Sequence, residues 1–319
     1  MANAGAVARL LARRAVTLVG VLLALSIIAF ALIHLAEGDI VRNLIGNRKA
    51  TPETVAAIRA KYNLDLPVWR QYLAWLVGVV QGDWGTSVRT GAPVGDMIAA
   101  RLPLTAGLIG LAAVLACGIG VPLGVMAAKR EGRALDRAIV TGSVVGVSSP
   151  PVAVALVLIY VFGVALGVMP MYGAGRGGWD TLRHLVLPAA ALAIGVGASI
   201  VKITRTAVLG ELAGDYVVFA RARSLPERAI NRSILSGAAP PIWTSAGLVV
   251  AGLVGGSVLV ETTFALPGMG VLLTDSIHFK DVPVVQAVTL LVATAIAATT
   301  FLVDAIVVLT DPRHSLAEP

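Results

Sequence analysis

Residues 215–241, DYVVFARARSLPERAINRSILSGAAPP, form a polar and basic segment between two strongly apolar ones. Because buried charges are costly in hydrocarbon, this segment is predicted to lie outside the membrane. Tyr216 to Arg223 is predicted to form a short helix, in which the small residues Ala220 and Ala222 leave shallow places between bulky neighbours. The pattern indicates a surface on which another protein docks, and not a catalytic site.

The helix is predicted to break at Ser224, Leu225 and Pro226, since the residue before a proline is disfavoured in the helical region and proline favours a helix start. Two conformations of Ser224 fit this break. Ser224 can cap a second helix in a capping box with Glu227. Alternatively, Ser224 itself adopts a left-handed conformation, in which glycine is the least strained residue.

The same segment resembles the cytoplasmic coupling loop, or EAA-type loop, of membrane permease subunits of ABC importers in the dipeptide, oligopeptide and nickel permease group. The family pattern here is similar to DYVRTARAKGLSERRV. The matching residues are Asp215, Tyr216, Ala220, Arg221, Ala222, Leu225, Glu227 and Arg228. Ser224 departs from the family, which usually has glycine there. The resemblance implies that residues 215–235, including Arg223 and Ser224, couple the chain to ATPase subunits.

The composition indicates an integral membrane protein. Of the 319 residues, 57% are hydrophobic and 13% are charged, and the mean hydropathy is +0.86, which is too apolar for a soluble domain. The net charge of +7 does not indicate nucleic-acid binding, because Lys and Arg are distributed among loops and are not interleaved with aromatic residues on one face. The single cysteine, Cys117, excludes an intrachain disulfide.

The N-terminal part is predicted to hold one span and an external domain. Three arginines precede an uncharged run at 15–36, which is long enough to cross the hydrocarbon core of about 30 Å and exceeds the apolar region of a signal peptide. Residues 37–101 are polar and mixed in charge, and two helices are predicted there, starting near Pro52 and Pro67. The second is expected to carry one apolar stripe, formed by Trp69, Leu73, Leu76 and Val80. The texts LDLPVWRQYLAWLVGVVQGDWGTSV and PVGDMIAARLPLT resemble the same permease group.

Five further uncharged runs bring the predicted number of transmembrane helices to six; these runs are 102–128, 138–175, 184–201, 233–260 and 282–303. Lys and Arg are concentrated in the short loop 129–137 and in the coupling segment, so both termini are predicted to be cytoplasmic. Pro150 and Pro151 are predicted to kink or break the third run. Glycines spaced four apart in these runs are typical of closely packed membrane helices, and the pairs are Gly120 and Gly124, Gly142 and Gly146, Gly163 and Gly167, and Gly252 and Gly256.

The predicted fold class is therefore an all-α polytopic membrane protein. Its expected parts are a cytoplasmic N-terminus with the first helix (1–36), an external helical domain (37–101), a five-helix permease core (102–310) and a cytoplasmic tail (311–319). The coupling loop, 211–236, lies between the fourth and fifth helices. Residues 261–273, ETTFALPGMGVLL, resemble the family's external re-entrant segment, on the residues Glu261, Phe264, Pro267, Gly268 and Gly270.

Asp304 is the sharpest charge within a predicted span. An uncompensated acid at the membrane centre costs about 2.5–3.5 kcal/mol on insertion scales, so Asp304 requires a partner. Lys202 and Arg205, at the cytoplasmic end of the fourth span, are the nearest cations by depth. A structural pair near the inner surface is favoured over a proton or cation relay.

The sequence shows no motif of an enzyme or of a metal site. Residues 173–178 satisfy G-x-G-x-x-G, but they follow a span and not a strand, which argues against a dinucleotide site. The energy for transport must therefore come from a separate ATPase subunit or from an ion gradient. The alternatives to an importer permease are a secondary transporter and a scaffold without transport activity.

The resemblance implies further partners and a location. A homologous second permease subunit, two cytoplasmic subunits that bind ATP and Mg²⁺, and an external substrate-binding protein are expected, in a bacterial inner membrane. Peptides are the expected solutes, with nickel or other small solutes as the alternative.

Overall fold

The computed structural model describes residues 4–35, 51–61 and 65–310. These residues are overwhelmingly α-helical, and within the described ranges the β pairing is limited to an isolated bridge between Thr86 and Pro93. The helices, in chain order, are α1 (Ala4–Leu35), α2 (Pro52–Lys61), α3 (Val68–Val80), α4 (Val94–Lys129), α5 (Ala134–Ser148), α6 (Pro151–Leu158), α7 (Gly178–Leu212), α8 (Asp215–Ala222), α9 (Glu227–Thr263), α10 (Met269–His278) and α11 (Val282–Thr310). A π-helical segment, Ile159–Ala165, continues α6.

Among the described residues, four helices are long and apolar enough to cross a membrane: Ala12–Ala31 within α1, α4, α7, and Val282–Val303 within α11. The number rises to five if α5 and Pro151–Ala165 together form one span. The fifth predicted run, 233–260, is helical throughout because it lies within α9, but α9 is not among these helices. The multi-pass membrane fold is thus confirmed, while the count of six spans stays a prediction.

The predicted break at Pro150 and Pro151 is confirmed. Helix α5 ends at Ser148, Pro150 has extended backbone, and Pro151 occupies the first turn of α6. The chain bends by 106° at this point. Proline favours this geometry because it lacks an N–H group for an intrahelical bond yet fits the first helical turn. The run 138–175 is therefore a bent helix pair and not a straight span.

The chain forms two compact units. The first comprises Met1–Arg14, Ala106–Leu266 and Ala298–Pro319, and the second comprises Ala15–Thr105 and Pro267–Ala297. In the first unit, α7 runs through the interior, and residues on α5, α6 and α9 pack against it. The second unit has an apolar core of residues on α4, α10 and α11: Val94, Ile98, Met269, Leu272, Val284, Ala287 and Val288.

A buried carboxylate fastens a loop of the second unit. Asp281 is only 2% exposed, and its carboxylate accepts a hydrogen bond from the Ser87 hydroxyl and another from the Val88 N–H at 3.0 Å. The Arg89 guanidinium lies 3.6 Å from the centroid of the Phe279 ring. Hydrogen bonds to a charged acceptor are among the stronger ones, so the loop before α4 is held firmly to the residues before α11.

Candidate docking surface

The short helix α8 is anchored to the first unit by one deeply buried side chain. Val217 is 1% exposed. It belongs to an apolar cluster with residues at the ends of three long helices, namely Ala128 on α4, Val208 on α7, and Ile230, Ile234 and Ala238 on α9. We call this set the anchor cluster. Val217 therefore packs α8 against the ends of α4, α7 and α9.

The opposite side of α8 is apolar and exposed. Val218 and Phe219 have 64% and 69% of their surface exposed, and Asp215 and Ala222 are exposed beside them. At 100° per residue these four side chains share one side of the helix, with Ala222 between the two larger apolar groups. We call them the outer face of α8. The methyl group of Ala222 leaves a depression in this face.

The sequence analysis did not single out Val218 and Phe219. Their spacing places them together on one side of a helix, but only the burial of Val217 shows that this side faces outward. Exposed apolar groups of this size, gathered on one side, are typical of a protein–protein contact.

The structure divides the predicted coupling residues between two environments. Ala220 is half-buried and packs against the anchor cluster, whereas Tyr216 and Leu225 are 40% and 44% exposed. Arg221 lies 3.8 Å from the Glu227 carboxylate across the turn, with both side chains more than half exposed. An exposed pair of this kind contributes little. Ala220 thus supports the fold, and Arg223 is exposed. The role of each in docking stays a prediction.

The turn after α8 excludes the capping box. Ser224 has a left-handed backbone with φ of 55°, and α9 begins at Glu227 without a side-chain cap. The Leu225 N–H donates to the Ala220 carbonyl at 3.1 Å and the Ser224 N–H donates to the Arg221 carbonyl at 2.9 Å. These two bonds form a Schellman motif, in which the left-handed position is usually glycine. Ser224 therefore ends α8 and does not start α9.

A carboxylate, a phenol and a glycine join α7, α8 and α9. The Tyr216 hydroxyl donates to the Glu211 carboxylate at 2.8 Å. The same carboxylate lies against Gly237, where an added Cβ atom would overlap it. A larger residue at this position of α9 would require the Glu211 carboxylate to shift. This contact holds the N-terminal end of α8, and the turn at Ser224 described above closes its C-terminal end.

Arg205 has a different partner from the one predicted. The sequence predicts Lys202 or Arg205 as the partner of Asp304, whereas the structure pairs Arg205 with Asp136 through bonds of 2.7 Å and 2.8 Å. Asp136 is 4% exposed and also accepts the Gly132 N–H at 2.9 Å. The pair joins the start of α5 to α7. Lys202 is exposed, and the side chain of Asp304 lies outside the described part of the chain, so its pairing stays a prediction.

The predicted re-entrant segment forms the turn between α9 and α10. Glu261 and Phe264 are 0% and 1% exposed at the end of α9, and the Phe264 carbonyl accepts the Gly173 N–H at 3.0 Å. Pro267 and Gly268 precede α10, and Gly270 is buried in its first turn. The position of this segment on the external side stays a prediction.

Glycines bring α4 and α7 into close contact. A Cβ atom at Gly120 would lie 2.9 Å from the Gly197 carbonyl oxygen, and one at Gly124 would lie 2.8 Å from the Val201 carbonyl oxygen. The expected close packing at this glycine pair is confirmed. Gly252 and Gly256 make a looser contact with α7. In the pairs Gly142 and Gly146, and Gly163 and Gly167, only one glycine of each pair has a close neighbour.

A cavity of about 600 Å³ opens between α7, α9 and α11 of the first unit. Its described lining carries hydroxyl groups but no charged side chain: Ile203, Pro241, Thr244, Ser245, Gly247, Ala251, Thr300 and Val303. The Thr244 hydroxyl donates to the Pro240 carbonyl at 3.0 Å, and the Ser245 hydroxyl donates to the Ile242 carbonyl at 2.7 Å. Each of these oxygens therefore retains acceptor capacity toward a solute.

No group of three His, Cys, Asp or Glu side chains suited to a metal ion occurs among the residues that the structure describes. The features that are present are apolar spans, close helix packing and an exposed apolar face on a polar loop. They define a multi-pass membrane protein with an exposed apolar face on α8.

Comparison with known families identifies the kind of membrane protein. Residues 120–315 match the model of the family described as binding-protein-dependent transport system inner membrane component. Residues 7–109 match the model of its N-terminal region. The chain belongs to the family of binding-protein-dependent transport system inner membrane components, and it is a permease component of an importer.

Curated relatives align over nearly the whole chain. The oligopeptide transport system permease protein AppB of Bacillus subtilis is 36% identical over 308 residues, covering 94% of this chain and 97% of the relative. The dipeptide transport system permease protein DppB of Escherichia coli K12 is 33% identical, with the same coverage. The glutathione transport system permease protein GsiC of Escherichia coli K12 is 34% identical, covering 94% of this chain and 96% of the relative.

Proposed function

We propose that this permease subunit couples to a cytoplasmic ATPase subunit through the outer face of α8. The observation that carries the proposal is the opposition of two surfaces on one short helix. Val217 fastens α8 to the anchor cluster, while Val218 and Phe219 remain exposed on the other side. A helix with one face in the membrane protein and one apolar face free is suited to transmit movement between two proteins.

The mechanism follows from the anchoring of α8. Closure of two ATPase subunits around ATP and Mg²⁺ displaces α8, and the displacement reaches α4, α7 and α9 through the anchor cluster. The Glu211 and Tyr216 contact and the turn at Ser224 hold both ends of α8, so the helix moves as a rigid body with its neighbours. The spans then alternate between inward-facing and outward-facing states.

The proposed assembly contains a homologous second permease subunit, two ATPase subunits and an external substrate-binding protein. In this assembly α8 and both termini lie on the cytoplasmic side, because the short loop 129–137 and the segment around α8 are rich in Lys and Arg. ATP and Mg²⁺ bind to the ATPase subunits and not to this chain.

Peptides are the proposed solutes. The relatives named above are permeases of oligopeptide, dipeptide and glutathione transport systems, and all three solutes are peptides. The cavity between α7, α9 and α11 fits this class, because its hydroxyl oxygens can accept hydrogen bonds from peptide N–H groups. Nickel or another small solute is the alternative, and it would require ligands that the described lining of this cavity does not contain.

Uptake into sealed vesicles tests the proposed function. The chain is reconstituted with its partner permease, its ATPase subunits and the binding protein loaded with a labelled peptide. We expect uptake that requires ATP hydrolysis and persists when ionophores remove all ion gradients. Uptake driven by an ion gradient without ATP would indicate a secondary transporter, and the absence of uptake with every partner bound would indicate a scaffold.

A further inference from the structure

Helix α3 is apolar over most of its circumference. Its sequence, VWRQYLAWLVGVV, contains a single charged residue, Arg70, and the polar residue Gln71 beside it, with the large apolar side chains on the remaining sides. A helix with so wide an apolar surface belongs against a protein core or a membrane. With 13 residues α3 is about 20 Å long, which is too short to cross a hydrocarbon layer of about 30 Å.

One side of α3 packs against α1. The Tyr72 hydroxyl and the Ser26 hydroxyl share a hydrogen bond of 2.8 Å. The ring of Phe30 lies 5.5 Å from that of Tyr72 and 5.7 Å from that of Trp75, measured between centroids. Ser26 and Phe30 are 2% and 8% exposed. The aromatic contacts and the hydrogen bond make this a specific interface within the second unit.

The contact with α1 fixes the depth of α3. Ser26 belongs to the apolar span Ala12–Ala31 and lies five residues before its end. Five residues correspond to about 7.5 Å of helix rise, so the Tyr72 hydroxyl lies within the length of this apolar segment, and below the membrane surface if the segment crosses the bilayer. A helix held at this depth is not surrounded by bulk water, in contrast to the external domain predicted for residues 37–101.

The other side of α3 is exposed and apolar. The exposed fractions of Trp69, Leu73, Val77 and Val80 are 58%, 49%, 53% and 81%. We call these four residues the outer stripe. The sequence predicts an apolar stripe from Trp69, Leu73, Leu76 and Val80, and the structure turns most of it outward, because Tyr72 and Trp75 occupy the contact with α1.

Helix α1 is also apolar and exposed at the same level. Ile27 and Ile28, next to Ser26, are 54% and 59% exposed. If α1 crosses the membrane, Ile27 and Ile28 face lipid, and the outer stripe lies at the same depth as these two residues. The Arg70 guanidinium lies 5.0 Å from the centroid of the Trp69 ring. Trp and Arg are typical of the boundary between headgroups and acyl chains, where an aromatic ring and a long cationic side chain can both satisfy their polar ends.

We propose that α3 is an interfacial membrane helix whose outer stripe lies against the acyl chains of the leaflet next to the C-terminal end of α1. The occupant of this surface is lipid, and neither water nor a second protein. The inference requires only that α1 crosses the membrane. It does not depend on docking of an ATPase to α8, so either proposal can fail without the other.

Spin labels on the outer stripe test this proposal. In a Cys117→Ala background, Val77→Cys and Val80→Cys are labelled with a nitroxide, and the assembled complex is reconstituted in lipid vesicles. Oxygen dissolves in the acyl chains, whereas a nickel chelate stays in water. We expect a higher ratio of oxygen to nickel collision rates at both sites than at Glu53→Cys, an exposed charged position on α2.

Two outcomes overturn the proposal. A ratio that favours nickel at Val77 and Val80, as at Glu53, would place the outer stripe in water. Low collision rates with both reagents would show that a protein partner covers it. A second measurement needs no cysteine substitution and so guards against misfolding. Bromine on lipid acyl chains should quench the fluorescence of Trp69, which is obtained as the difference between the unchanged chain and Trp69→Phe. Absence of this quenching would also contradict the proposal.

Discussion

The left-handed backbone of Ser224 allows a sharp test of how α8 ends. A residue with a Cβ atom pays about 1–2 kcal/mol for this conformation relative to glycine, so Ser224→Gly should stabilise the closed turn by about 1 kcal/mol after the greater chain entropy of glycine is subtracted. Ser224→Ala keeps the Cβ atom and should change the stability by only a few tenths. A capping serine would instead make the unchanged chain the most stable of the three, since its loss to alanine costs about 1 kcal/mol and its loss to glycine a few tenths.

Amide hydrogen exchange of the segment 215–225 measures this local stability. A gain of 1 kcal/mol corresponds to about a fivefold slower exchange of the α8 amides in Ser224→Gly. Ala265→Gly is the matched control, because Ala265 is also left-handed, with φ of 49°, but lies after α9. It should leave exchange in α8 unchanged. The Schellman account would be refuted if the α8 amides exchanged no more slowly in Ser224→Gly than in the unchanged chain, and faster in Ser224→Ala than in both.

Three further predictions concern the packing of the first unit. Gly124→Ala should lower thermal stability in detergent by about 1–3 kcal/mol, because the new methyl group meets α7. The control Gly118→Ala should leave stability unchanged, because Gly118 has open space around it. Equal effects of the two variants would contradict the close contact. Thr204→Val should raise stability by up to about 1 kcal/mol, because it removes a buried hydroxyl without a hydrogen-bond partner among the described residues, and a clear loss would show that the hydroxyl is satisfied. Arg205→Gln alone should reduce the yield of folded protein, because it leaves the buried Asp136 carboxylate unpaired. The double variant Arg205→Gln with Asp136→Asn should lose less, because it removes that charge as well. A larger loss in the double variant would argue against the pairing.

Local sequence rules predicted the breaks in the chain well. The helix predicted at 216–223 is observed at Asp215–Ala222, and the break at Pro150 and Pro151 is where the sequence predicts it. Both features depend on backbone preferences of a few neighbouring residues. The sequence left two conformations of Ser224 open because both satisfy the same local pattern, and the hydrogen bonds of the turn decided between them.

Features that depend on distant contacts were not predicted. Asp136 and Arg205 are 69 positions apart, and nothing in either segment marks them as partners. The side of α8 that faces the anchor cluster was also undetermined, because Ala220 and Ala222 are equally small. Only the packing of Val217 shows that Ala220 faces inward and Ala222 outward. The outward stripe of α3 has the same origin, since the contact of Tyr72 with α1 selects which side is covered.

The exposed position of Ala222 makes it the cleanest probe of the outer face of α8. Ala222→Asp adds volume and an unpaired charge in the depression between Val218 and Phe219, a change that typically costs 2 kcal/mol or more at the core of an interface. Because Ala222 has no part in the anchor cluster, the variant should still insert and pair with the second permease subunit. Ala134→Asp, at an exposed alanine in the first turn of α5 and outside the predicted coupling loop 211–236, is the matched control.

The most direct test of the central claim is ATP-driven peptide uptake by complexes that carry Ala222→Asp, measured together with the amount of ATPase subunit that co-purifies. We expect Ala222→Asp to lose both uptake and bound ATPase, and Ala134→Asp to retain both. Wild-type uptake by Ala222→Asp with the ATPase still bound would show that the outer face of α8 is not the coupling surface.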